Sequence, residues 1–113
     1  MGRTSHASDA LSTKARNRLE ELGANIKKAR TRRGITQKDL ANRVSASHVT
    51  ISKLEKGNPS VGLGVLLMVL DVMGLVDDMA NLANPTTDTV GIALEEAQPK
   101  KVWTRKKTKN LDF

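Results

Sequence analysis

Apolar residues recur at helical spacing through the first half of the chain. Leu19, Leu22, Ile26 and Ala29 fall three and four residues apart, which predicts a helix from about Thr13 to Arg33 whose opposite face is basic. Gly34 ends that helix as a left-handed cap would. Thr36 can then cap a short helix burying Leu40, Ala41 and Val44. Ser47 can cap another, which buries Ile51 and Leu54 and stops at Gly57. The turn between them carries Ser45 where glycine would best tolerate a left-handed backbone. Serine there costs about 1 kcal/mol, or the turn takes another shape.

The pattern changes after Gly57. Asn58-Pro59-Ser60 is a turn whose Ser60 can cap a helix at about 61–73. This helix is apolar all round, so it must be covered on most faces. Its own domain can cover one side, and a second copy of the chain is expected on the other, through Val65, Leu66, Val69, Met73 and Leu75. A wholly internal core helix in a monomer is the alternative. Gly74 breaks the helix, and residues 75–83 read as a short fifth helix burying Leu75, Met79 and Leu82. Beyond Asn84-Pro85, residues 86–98 can hold one helix with Val90 and Leu94 on a common side, although the local alternation also tolerates a strand. The expected organisation is all-α: an arm at 1–12, a helical domain at 13–84, and an extension with a basic tail at 85–113.

Charge follows the same division. The chain has 113 residues and a formal charge of +7, which favours a polyanionic partner without separating nucleic acid from a membrane surface. Residues 1–57 hold 13 of the 19 lysines and arginines, whereas residues 58–99 hold none and carry six carboxylates. Six basic residues return from Lys100 onward. This order fits a DNA-facing half, a self-association half and a separate tail. There is no cysteine, which excludes disulfides and thiolate metal sites. The start lacks the apolar core of a signal peptide, and the apolar run at 61–76 is too short to span a membrane and contains Asp71. A cytoplasmic protein is expected, of bacterial or phage origin, with no membrane association.

Two short capped helices joined by a tight turn can present the second one to a DNA major groove. The residues left exposed on it are Ser47, His48, Val49, Ser52, Lys53 and Lys56, a small, partly basic face without a carboxylate. Lys53 can donate to guanine O6 and N7, Ser47 and His48 can donate or accept, and Val49 offers only a methyl contact. Around this unit, Lys27, Lys28, Arg32, Arg33, Lys38 and Lys56 can follow a phosphate backbone. Gln37, beside the free N–H groups of its helix, is placed to hold one phosphate and set register. Arg30 and Glu55 are predicted to pair and fix the second helix against the first, which makes Arg30 mainly structural. The near absence of aromatics (Trp103 and Phe113 only) disfavours single-stranded nucleic acid.

Arg30-x-x-Arg33-Gly-Ile-Thr-Gln37-x-x-Leu40-Ala41, followed by Ser47-x-x-Thr50-Ile51-Ser52-x-Leu54-Glu55-x-Gly57, resembles the Cro/C1 (Xre-type, lambda-repressor-like) helix-turn-helix domains. The resemblance covers residues 19–83. It implies a five-helix domain binding palindromic double-stranded DNA operators as a two-fold homodimer. It also implies Gln37 at phosphate, Ser47, His48, Val49 and Lys53 toward bases, and Arg30 paired with Glu55. Pro59-Ser-Val-Gly-Leu-Gly, Gly74-Leu-Val-Asp-Asp-Met and the acidic-to-basic tail resemble, more narrowly, the HipB-like antitoxins. That likeness implies a repressor of its own operon that binds a HipA-family kinase toxin, with Trp103 as an anchor. A stand-alone or phage-type regulator without a toxin is the alternative.

Catalysis is not expected. The chain offers no cysteine nucleophile, no phosphate-cradling glycine loop and only two, distant, histidines. Asp77 and Asp78 read as a solvated helix face, and no cofactor or metal is implied. A protein-only adaptor on the same scaffold would differ in lacking salt-dependent duplex binding.

Overall fold

A computed structural model describes residues 10–99. Among these are five α-helices and one 3₁₀ helix, with no strand. They are α1 (Thr13–Arg32), α2 (Gln37–Arg43), α3 (His48–Glu55), α4 (Leu63–Val72), the 3₁₀ helix Val76–Asn81, and α5 (Thr89–Ala97). The arm at 1–9 and the tail at 100–113, with Trp103, lie outside the described residues. The chain divides into two compact units, Met1–Asp77 and Asp78–Phe113.

Hydroxyl caps start the first three helices. Ser12 Oγ accepts from Ala15 N, Thr36 Oγ1 from Asp39 N and Ser47 Oγ from Thr50 N, each at 3.0 Å. Each bond satisfies an amide that the first helical turn leaves without a partner. The helices also end alike. At α2, Ala46 N donates to Ala41 O at 3.0 Å, which requires the intervening Ser45 to be left-handed, with φ of 53°. The turn between α2 and α3 therefore keeps the left-handed shape and serine bears the strain.

The core of the first unit comes from the stripes the pattern marks. Leu40 and Ile51 are fully buried, with Ile26, Ala41, Val44 and Leu54 around them. Ile35 joins them, a residue that helical periodicity misses because it lies in the loop between α1 and α2. Two glycines bring α1 hard against the end of α3. A Cβ on Gly23 would stand 2.6 Å from Glu55 O and 2.7 Å from Leu54 O. A Cβ on Gly57 would stand 2.6 Å from Glu20 Cα, and Gly57 also needs a φ of 76°.

Several expectations for residues 58–83 need correction. Ser60 does not cap α4; its N–H instead donates to Asn58 Oδ1 at 2.8 Å, and Gly62 precedes α4 without any side-chain cap. Asparagine competes well for a neighbouring amide in a turn, and that closes the loop before the helix begins. Val69 and Met73, assigned to a dimer interface, are 0 and 4% exposed within a single chain and belong to its core. They share the inner side of α4 with Leu70, while Val65 and Leu66 at its flanks and Leu75 beyond it are half-buried. Leu63, Gly64, Leu67, Met68, Asp71 and Val72 make up the outer side, which is apolar except for Asp71. The fifth helix is a 3₁₀ helix, and Leu82, expected inside, is exposed.

The second unit is built locally. Asn84 Oδ1 accepts from Thr86 N at 2.9 Å and Thr86 Oγ1 at 2.7 Å, shaping the turn before α5. Asp88 Oδ1 caps α5 by accepting from Gly91 N at 3.0 Å. Residues 89–97 are thus helical rather than extended, and none of them is buried.

Candidate nucleic-acid interface

Helix α3 has two distinct sides. Ile51, Leu54 and Glu55 face the core, whereas His48, Val49, Ser52, Lys53 and Lys56 share the opposite arc. Val49 is 61% exposed, an unfavourable place for an isopropyl group in a free domain. His48, Lys53 and Lys56 are exposed and Ser52 is half-buried. Ser47 is exposed but already engaged, since its hydroxyl accepts from Thr50 N and shares a 2.9 Å hydrogen bond with Thr50 Oγ1. Thr50, half-buried, is the partner that holds the Ser47 hydroxyl.

The side opposite this arc is held by a polar cluster. Arg30 Nε donates to Glu55 Oε2 at 2.6 Å and Nη2 donates to Oε1 at 3.0 Å, a two-pronged ion pair between α1 and α3. Arg30 Nη1 donates to Ile35 O at 2.8 Å, so the guanidinium also holds the loop before α2. Gln37 Nε2 completes the cluster, donating to Glu55 Oε1 at 2.9 Å. Both Arg30 and Glu55 are buried. Burial alone would push the Glu55 carboxyl up. Hydrogen bonds from Arg30 and Gln37, with the charges of Arg30 and Lys27, outweigh it and hold the group below its ordinary value. For Arg30 the hydrogen bond to Glu55 dominates burial and keeps the guanidinium above its ordinary value.

Of the basic residues assigned to phosphate, Lys27, Lys28, Arg32, Arg33, Lys38 and Lys56 are all exposed. Arg33 folds back, its Nη1 donating to Ala29 O at 2.9 Å. Arg43 is paired with Asp39 at 3.2 Å and Arg18 with Glu21 at 2.7 Å, both on the surface, where such pairs add little stability. Gln37 is half-buried and turned toward Glu55, a partner 18 residues away that local spacing cannot reveal.

Among the described residues no cluster of His, Asp or Glu could hold a metal ion, and no helix is long and apolar enough to cross a membrane. No curated protein and no solved structure matches the chain. The family model described as a helix-turn-helix domain matches residues 21–83, over half the chain, spanning α2, the turn at Ser45 and α3. With an all-helical fold of the Cro/C1 type, this chain belongs to the helix-turn-helix domain family and is a DNA-binding regulator.

Proposed function

We propose that the protein is a sequence-specific repressor that binds a palindromic operator as a homodimer. The observation that carries this reading is the polarity of α3. Its outer arc is largely exposed and free of carboxylates, while its inner side is fixed by a buried ion pair and by the buried side chains of Ile51 and Leu54. A helix held rigidly from behind can enter a major groove without losing order on binding. His48, Val49, Ser52 and Lys53 meet base edges, with Ser47 contributing through whichever hydroxyl lone pair its cap leaves open. Lys27, Lys28, Arg32, Arg33, Lys38, Lys56 and Gln37 meet phosphates and set the register. The outer side of α4 supports the dimer: Leu63, Leu67, Met68 and Val72 are exposed there on either side of Asp71, with Leu63 71% exposed. Val65, Leu66 and Leu75 border that side rather than form its centre.

The test is a selection from random duplexes with purified protein at two salt concentrations. A two-fold symmetric consensus with half-site centres about 34 Å apart supports the reading. Selection that recovers no consensus, with duplex binding still present, reduces the protein to a non-specific binder.

A role as the antitoxin of a toxin–antitoxin operon extends this proposal. It rests on the residues resembling HipB-like antitoxins and on Trp103 within the basic tail. Co-purification with a kinase encoded beside it, lost in Trp103→Ala, supports the extension. A regulator that represses with no such partner leaves the DNA reading intact and removes the toxin.

A further inference from the structure

Glu55 does more than neutralise Arg30. Its Oε1 accepts from two donors on different elements, Arg30 Nη2 of α1 at 3.0 Å and Gln37 Nε2 of α2 at 2.9 Å. One carboxylate at the end of α3 therefore ties together α1, α2 and α3. A primary amide carries two N–H groups and one carbonyl oxygen. In Gln37 one N–H is committed to Glu55, and among the described residues no other side-chain hydrogen bond holds the amide. The second N–H is left for an acceptor outside the chain.

Charge decides whether that acceptor can be an anion. A bare carboxylate one hydrogen bond behind the amide would repel a phosphate. Glu55 is not bare: Arg30 meets both its oxygens, and Lys27 adds a further positive charge close enough to act on it. The cluster thus anchors the amide with an anion while presenting no net negative charge. A flexible glutamine must lose side-chain freedom on binding, and one already anchored has lost most of it.

We propose that Glu55 is a positioning residue for DNA recognition, holding the Gln37 amide so that its second N–H meets a backbone phosphate. This rests on the assignment of Gln37 to a phosphate in the proposed function and deepens it. The contact made from α2 and the base contacts made from α3 then share one fixed reference, because the residue that orients the first belongs to the second.

The experiment is a double-mutant cycle on duplex affinity, read by fluorescence anisotropy with the folded fraction fixed by circular dichroism. One arm is Gln37→Met, which keeps length but cannot donate. The other is the paired change Arg30→Met with Glu55→Met, which removes the anchor without stranding a buried charge. Gln37→Met is expected to weaken binding about tenfold in the native background, as for a hydrogen bond to a charged group, and about twofold in the anchorless one. Equal losses in both backgrounds overturn the proposal while leaving Gln37 at the phosphate. No loss in either background overturns both. A native chain that binds no duplex removes the proposed function itself.

A second measurement uses the unaltered protein. The Gln37 side-chain amide proton that faces Glu55 should exchange with water more slowly than its geminal partner, and added duplex should move mainly the partner. Equal exchange rates and equal duplex-induced shifts for the two protons overturn the proposal whatever the cycle gives.

Discussion

Gly23→Ala isolates the seam between α1 and α3. Inside a helix this change ordinarily stabilises by up to about 1 kcal/mol, because alanine is the better helix former. Here the added methyl would meet two carbonyl oxygens, at 2.6 Å and 2.7 Å, and a carbonyl carbon at 2.8 Å. All three atoms are backbone, so no side chain can swing aside, and ordinary contact requires the helices to part by several tenths of an ångström or more. Overpacking of this kind costs about 1–3 kcal/mol, and the upper end applies where only backbone can yield. After the gain in propensity, a net loss of about 2 kcal/mol remains, which lowers Tm by about 8–16 °C in a domain of this size. Urea unfolding followed by far-UV circular dichroism measures the loss, and duplex affinity should fall with it because α3 moves relative to the basic face of α1. Gly64→Ala is the control, since nothing lies within 4 Å of its Cβ position. A Gly23→Ala protein as stable as the native chain would falsify the close apposition of α1 and α3.

Three further outcomes are expected. Ser45→Gly relieves a left-handed serine at an exposed turn and should raise stability by about 0.5–1 kcal/mol, read as a higher urea midpoint with unchanged slope. The Glu55 carboxyl lies below its ordinary value in the fold, so its contribution is fully present above about pH 4.3 and is lost as pH falls through the depressed native value. Replacing Arg30 and Glu55 together by methionine should flatten that acid limb; an unchanged limb would assign it to other carboxylates. Val69→Ala, at a fully buried site, should cost about 2 kcal/mol in monomer stability, whereas Leu67→Glu on the outer side of α4 should leave the monomer folded and abolish dimers in sedimentation.

The parts of the fold legible in the sequence are those governed by local chemistry. Thr36 and Ser47 mark their helix starts because a hydroxyl three residues before an amide is a short-range signal. The stripes Leu40-Ala41-Val44 and Ile51-Leu54 mark their buried sides because helical periodicity is also local. What escaped depends on partners far along the chain. Gly23 looks like an ordinary weak point in a helix until the carbonyls of Leu54 and Glu55 arrive beside it. Gln37 reads as a free polar residue until Glu55 takes one of its protons. On α4 only Asp71 breaks an otherwise apolar sequence, so periodicity had little contrast with which to choose Val69 and Met73 for the inside and Leu67 and Met68 for the outside. The same lack of contrast put the buried Val69 and Met73 among the residues expected at a surface.

Backbone amide NMR during titration with the selected duplex decides whether the outer arc of α3 enters DNA. The largest shifts should fall on residues 47–53, with smaller ones along the basic face at Lys27, Lys28 and Lys38, while α5 stays unchanged. Shifts confined to α4 or α5, with His48, Val49 and Lys53 unmoved at saturation, would contradict insertion of α3.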